Sequence, residues 1–372
     1  MEFFPFELER WQSTWEHRVR INLSESGVHP LSLAELLELT ETDAEELGRI
    51  RFGYSQGNGS DELRDTIAAL YPGATRDNVL ITVGGAEANF IACWALVNPG
   101  EKVAIFYPTY MQTWGLAQNA RAQVAPIWLR PERAWQADPE EIRRTITPDT
   151  RLVVVTNPHN PSGQILSGAV REAVLARVRE TGAWLLVDEI YQGAELDGKT
   201  TASWWGGYER LLITNGLSKA YGLPGLRIGW IVGPKEMIEH LWRRHDYTVI
   251  GPSPVSDFLA LRALKHRDRI LARTRRILNT NYPVLDRWLR AFGDLFSWHP
   301  PAAGAICFVR FGNGVDTLQL VEAVRKRHSI LLVPGEHFGM PGHLRIGYGN
   351  PTEQLEQALA ELAEPFRQLQ AA

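Results

Sequence analysis

Cysteine is nearly absent from this 372-residue chain: only Cys93 and Cys307 occur, with no CxxC pair and no histidine-rich metal spacing. That excludes a disulfide framework and offers no metal site; two buried thiols in a reducing compartment are the expectation. Nor does any stretch approach the roughly 18 consecutive apolar residues of a membrane span. The opening residues, MEFFPFELERW, carry acids where a secretory signal needs a basic start and a long apolar core, so a cytoplasmic location is expected. Basic runs suited to a phosphate backbone are missing too, and a net charge of -4 gives no electrostatic reason to expect nucleic acid. No internal repeat or low-complexity segment is evident. What remains, 44% hydrophobic and 22% charged, is the composition of a globular protein long enough for one large domain and one smaller.

The stretch from Leu211 to Trp230, LLITNGLSKAYGLPGLRIGW, carries the densest chemistry. An apolar run ends in small and polar residues and then Ser218 and Lys219, as a buried strand does when its C-terminal end opens into a site. A lysine becomes a nucleophile there only if its ammonium is destabilised by desolvation or by a neighbouring cation. Arg227, eight positions on, is placed to supply that cation or to bind an anion. Serine, lysine and arginine together suit a phosphate-bearing aldehyde, the amine forming an imine and the guanidinium holding the phosphate. Pyridoxal phosphate (PLP) has that chemistry. Taken alone, the same residues also describe a surface lysine and an ion-paired arginine.

Other apolar runs behave alike. Val79–Val83 leads into Gly84, Gly85, Ala86 and Glu87; Val103–Phe106 into Tyr107 to Tyr110; Leu152–Val155 into Asn157 to Gly163; Trp184–Val187 into Asp188 to Tyr191. Helical stretches such as Glu87–Leu96 and Ala169–Glu180 separate most of them, which predicts an α/β domain with a mainly parallel sheet. The unusual polar residues follow the strands, where ligands bind in such sheets. Residues 5–20 predict an amphipathic helix, Ser32 with Glu35 a capped one, and Ser60 the start of another. Beyond Pro252 a long helical region, 256–292, joins a smaller α+β domain whose last strand holds Arg345. The boundaries expected are 42–270 for the large domain, with 1–41 and 271–372 forming the small one.

Each candidate has a chemical reason and a plainer alternative. Asp188 ends an apolar strand, and a carboxylate buried there needs a cation or donors; a protonated pyridine nitrogen would serve. Tyr191 and Asn160 can each donate to a phenolic ring oxygen. Gly84, Gly85 and Ala86 before a helix make an anion site at the positive end of its dipole, though many such turns are only turns. Tyr110 suits either the face of a ring or the core. Arg345 matches an α-carboxylate bidentately, or is structural. His29, between Gly27-Val28 and Pro30, is either a loop histidine or an acid–base group.

Over nearly its whole length the chain resembles the class I/II aminotransferase family of fold-type I PLP enzymes, through YSQGNGSDELR, VGGAEA, YPTY, NPHNPSG, VDEIY, SKAYGLPGLRIGW and LRIGYG in family order. The resemblance implies a large domain with a mainly parallel seven-stranded sheet, a Schiff base on Lys219, and Asp188 on the pyridine nitrogen. It places Asn160 and Tyr191 on the ring oxygen and Tyr110 on the ring face. It implies phosphate contacts from Gly85, Ala86, Ser218 and Arg227, with Glu87 beside them, and Arg345 for the substrate carboxylate. Tyr54 resembles the tyrosine that reaches the neighbouring subunit's phosphate, which implies a homodimer acting on small-molecule amino acids and 2-oxo acids.

Two departures stand out. Gly216 occupies the position three before the lysine where many relatives have a phosphate-binding serine, which shifts that duty to Asn215 or Thr214. The strip SESGVHP lacks the usual glycine-and-proline pattern and is similar to the branch containing capreomycidine synthase, which implicates Gly27 and His29 on the substrate side. Transamination, with Lys219 shuttling the α-proton, is the leading expectation. The alternative is elimination and cyclisation of a hydroxylated arginine, with His29 as acid or base and Glu9, Glu16 or Glu25 holding the guanidinium. A PLP-fold ligand-binding module is opposed by the retention of Lys219.

Overall fold

The structure, a computed structural model, describes residues 3–312 and 314–371. Its centre is an eight-stranded sheet in the order Val79–Thr82, Gly229–Val232, Leu211–Gly216, Trp184–Asp188, Thr150–Thr156, Lys102–Tyr107, Gln123–Arg130, Gln136–Ala137. Pairing is parallel from Leu211–Gly216 through to Gln123–Arg130, while Gly229–Val232 runs antiparallel to both its neighbours. Gln136–Ala137 adds a two-residue antiparallel edge to the seven strands expected. The expected runs are strands, and they are apolar throughout because helices cover both faces. Gln123–Arg130, half-buried and interrupted by Pro126, lacked that signal.

Register lines up the strand ends. Thr156 pairs with Asp188, and Asp188 with Thr214, so three polar residues form one row where the parallel strands terminate. The helix Gly84–Leu96 starts beside that row, three residues earlier than Glu87. The region 256–292 is two helices, Pro254–Lys265 and Arg267–Arg290, meeting at His266.

The second sheet is antiparallel, in the order Phe296–Trp298, Ile306–Phe311, His343–Gly347, Val333–Pro334. The N-terminal segment joins it. Ile21–Asn22 pairs in parallel with Ile330–Leu331, and the helix Glu7–Trp15 docks through buried Leu8 and Trp11, whose indole N–H donates to the Leu332 carbonyl at 2.9 Å. Arg325 lies over the Trp15 ring at 3.6 Å. This packing fixes which way the helix faces: its apolar side meets the second sheet, and Glu9, Gln12 and Glu16 face the cavity between the sheets. Ser32 and Glu35 form the expected capping box, and Ser60 caps Asp61–Ala68.

Candidate active site

One cavity of about 310 Å³ collects Thr156 and Asp188 of the strand-end row, the start of the Gly84–Leu96 helix and the acidic face of the N-terminal helix. Lys219, Asp188, Tyr191, Asn160, Tyr110, Ser218, Gly85, Ala86, Arg227 and Arg345 all line it. Residues up to 260 positions apart in sequence therefore share one space, as the motif order implied.

At its floor Asp188 accepts from the Asn89 side-chain amide at 3.0 Å and from the Ile190 N–H at 3.0 Å. Burial raises the carboxyl's pKa, and these two neutral donors only partly offset it. Asp188 makes no ion pair among the described residues, so a cationic group such as a pyridinium would complete it. At one end, Gly84 adopts φ +81°, and a Cβ there would stand 2.4 Å from the Arg227 Nη2. Only glycine lets this guanidinium lie against the first turn of a helix whose N-cap, Val83, has no capping side chain. Free helix N–H groups, a dipole and an arginine make an anion cradle.

On the opposite side Arg345, 2% exposed, donates to the Asn160 Oδ1 at 2.9 Å and the Ser24 carbonyl at 2.6 Å, and its buried Nε has no partner. That spare N–H suits a carboxylate. The Tyr191 hydroxyl donates to Ser26 Oγ at 2.9 Å, and Tyr110 donates to Glu9 at 2.6 Å. Phosphate cradle, buried carboxylate, lysine and carboxylate-seeking arginine together fit PLP.

Several expectations need correction. Lys219 is not activated by Arg227. Burial alone would lower the ammonium's pKa, but the Glu25 carboxylate, 3.4 Å from Nζ, holds it above its usual range, and the opposing cation is Arg345. Neither Thr214 nor Asn215 lines the cavity: the Thr214 hydroxyl donates to Asn89 Oδ1 at 2.9 Å, and Asn215 Oδ1 accepts from the Gly216 N–H at 2.7 Å. A serine at Gly216 would be crowded: a Cβ would lie 3.0 Å from the Ile228 carbonyl and 3.1 Å from the Gly229 Cα, so this backbone would have to give by a few tenths of an ångström. Glu87 turns away from the cavity, accepting from the Val83 N–H at 2.5 Å and from Thr248, with the His245 ring 3.2 Å away.

His29 does not line the cavity. Its Nδ1 lies 2.9 Å from an Arg273 nitrogen, and burial with that cation lowers its pKa. Gly27 lies against the lysine, a Cβ there falling 3.2 Å from the Lys219 Cα. Tyr54 is 93% exposed on a loop outside this cavity. Sequence reasoning missed Asn89, Ser26, Gln12 and Thr156, all of which line the cavity. Asn89 was findable: one helical turn beyond Gly85, it shares that residue's face. Among the described residues no cluster of potential metal ligands occurs and no helix is long and apolar enough to cross a membrane.

This fold and site define a PLP-dependent fold-type I enzyme. Residues 21–362 match the model for the aminotransferase class I and II family, and the chain belongs to that family, with pyridoxal phosphate as its cofactor. Among curated proteins it is 34% identical over 359 residues to the capreomycidine synthase of Streptomyces vinaceus, covering 96% of this chain and 92% of the relative. Among solved structures it is similar to a PLP-dependent aminotransferase from Streptococcus suis, with a TM-score of 0.93, 30% identity and 99% of each chain covered. It is also similar to the PLP-dependent cyclase OrfR, with a TM-score of 0.91 and 30% identity over 99% of this chain and 98% of the other.

Proposed function

We propose that this enzyme is a cyclase for a guanidinium-bearing amino acid such as a hydroxylated arginine, expelling water and closing a ring through a guanidinium nitrogen. The motifs alone favour transamination. What carries the cyclase reading is that Glu9, Glu16 and Glu25 line the same cavity as Lys219 and Arg345. One arginine suits the α-carboxylate, and three carboxylates around the remaining space would repel an acidic side chain and attract a guanidinium. The likeness to capreomycidine synthase and to a PLP-dependent cyclase supports the same reading.

Proximity within the cavity and the family resemblance support the following roles. Gly85, Ala86, Ser218 and Arg227 would hold the phosphate, Asp188 the ring nitrogen, Asn160 and Tyr191 the ring oxygen, and Tyr110 the ring face. Tyr54 would reach the phosphate in the other subunit of a homodimer. The bound cofactor supplies an electron sink for charge developing beside the substrate amine. Arg345 fixes the α-carboxylate, its guanidinium plane already set by Asn160 and Ser24. Lys219 moves the proton at the α-carbon.

Glu16, whose pKa burial and the nearby Glu25 raise, suits delivery of a proton to the departing hydroxyl. Glu25, held low by Lys219, suits accepting the proton released as the guanidinium nitrogen bonds to carbon. One C–O bond breaks, one C–N bond forms and one water leaves, with no oxidant. His29 would join only by leaving Arg273; loss of cyclic product in His29→Ala with cofactor binding intact would place it on the path.

The test is to incubate the holoenzyme with hydroxyarginine and with common amino acids, without a keto acid, and analyse products by mass spectrometry. A cyclic amino acid one water lighter, with the cofactor unchanged, is expected. A released keto acid with stoichiometric conversion of the cofactor to its amine form would instead make this a transaminase and name its donor.

A further inference from the structure

Asn89 is buried, 3% exposed, and every polar atom of its amide has an assigned partner. Oδ1 accepts from the Thr214 hydroxyl at 2.9 Å; Nδ2 donates to Asp188 Oδ2 at 3.0 Å and reaches Gln112 Oε1 at 3.4 Å. Gln112 in turn donates to the Ala86 carbonyl at 2.8 Å. A single chain of side-chain amides thus runs from the end of the Leu211–Gly216 strand, past the buried carboxylate, to the first turn of the phosphate-cradling helix.

The direction of this chain matters. An asparagine amide can turn either way, and the wrong way would set its oxygen against the Asp188 carboxylate. Thr214 opposes that turn, because its hydroxyl donates to Oδ1 and would lose that acceptor. The result is a donor held on a carboxylate that has no cation of its own.

We propose that Asn89, oriented by Thr214, is a positioning residue of the cofactor site that keeps Asp188 ionised and aimed at the pyridine nitrogen, while Gln112 ties the same amide to the phosphate cradle. The inference rests on PLP as cofactor and not on the cyclase reading, so either can fail alone.

Three variants test it through cofactor binding and spectra. Asn89→Leu keeps the volume and removes the donor; its apo form should melt close to the parent. Losing a hydrogen bond to a charged group should weaken PLP binding about tenfold or more, measured by titrating the apo protein. The pH midpoint of the bound cofactor's visible absorption should move upward, because a ring whose nitrogen is less fully protonated withdraws less charge from the imine.

Asn89→Asp gives a sign that loss of packing cannot mimic. Below the upper pKa of the carboxyl pair, the protonated Asp still donates to Asp188; above it two anions face each other. PLP affinity of Asn89→Asp should therefore rise as pH climbs through that pKa, because the second anion is relieved by the pyridinium, with no such slope in Asn89→Leu. Thr214→Val should give a smaller loss of affinity than Asn89→Leu. A PLP affinity within twofold of the parent and an unmoved spectral midpoint in Asn89→Leu would overturn the proposal. Should that variant fail to fold, a flat pH dependence in Asn89→Asp would do so.

Discussion

The floor of the cavity and its acidic wall are built on different plans. The floor comes from strand ends of the large sheet, where Asp188, Thr214 and Thr156 stand in register and each key side chain is held by a partner. The wall comes from a helix, Glu7–Trp15, and the strip after it, anchored by Leu8 and Trp11 on one face and open on the other. On the floor the chain prepares a fixed charge for a rigid ring. On the wall it supplies carboxylates with few and lighter partners: Lys219 beside Glu25, Tyr110 on Glu9 and His17 beside Glu16. The first plan suits a cofactor that stays; the second suits a side chain that arrives and leaves.

Removing the lysine should have the largest effect. Lys219→Ala takes away both the imine-forming amine and the carrier of the α-proton, so turnover should drop by at least about 10³-fold. Product formation under saturating substrate checks this, with PLP retention by the floor residues as the contrast. Next comes Arg345→Lys, which cannot grip a carboxylate through two parallel N–H groups. KM should rise about tenfold to a hundredfold with a smaller fall in kcat, since the interaction serves binding throughout the reaction. A fall in kcat alone would move Arg345 out of substrate binding.

The same division explains what the sequence could reveal. Floor residues sit in short local motifs, because a strand end, a glycine turn and a helix start lie within a few residues of one another, as in Val79 to Glu87. Their pairing across the sheet then follows from the parallel topology. The wall has no such signature: Glu9 and Glu16 look like solvated acids on an amphipathic helix until Trp11 and Leu8 are seen to bury its other face. Partner choice was illegible for a further reason. Arg227 stands eight residues from Lys219 and was the natural cation for it, whereas the charge that governs the lysine, Glu25, lies 194 positions away. Glu87 likewise sits within a phosphate motif, yet its carboxylate turns to His245 and Thr248 on another element.

Substitutions in the wall should act on substrate choice and leave the cofactor alone. Glu9→Gln removes one charge facing the guanidinium, and KM for a guanidino substrate should rise about tenfold, whereas Glu16→Gln takes away the proton donor and should show first as a fall in kcat. Citrulline, whose side chain is neutral, provides the comparison in binding measurements on Glu9→Gln. Its affinity should change far less, and equal losses for both ligands would mean that the wall shapes the cavity without recognising charge. PLP affinity should stay near that of the parent, as none of these carboxylates belongs to the cradle.

The smallest effect is expected where floor and wall touch, at the Glu25–Lys219 pair. Lys219 has a raised folded pKa, so its contribution to stability is fully present below the unfolded lysine value of about 10.4 and fades as pH climbs through the folded one. Glu25 has a lowered pKa, so its contribution is present above the unfolded glutamate value of about 4.3 and fades as pH falls through the folded one. Between those limits Glu25→Gln should cost the apo protein only a little stability, because the pair is partly open to solvent, with side chains 27% and 47% exposed. Its clearer effect is on the amine. With the carboxylate gone, the strongest influence raising the Lys219 pKa is lost, and burial, the largest of all, lowers it together with Arg345 against the lesser pull of Tyr191 and Glu9. More of the amine is then neutral near pH 7, and the apo variant should capture PLP faster than the parent, with the difference closing as pH rises toward the parent lysine's own pKa. A slower capture at neutral pH would mean that Glu25 assists imine formation directly and that the wall takes part in the floor's chemistry.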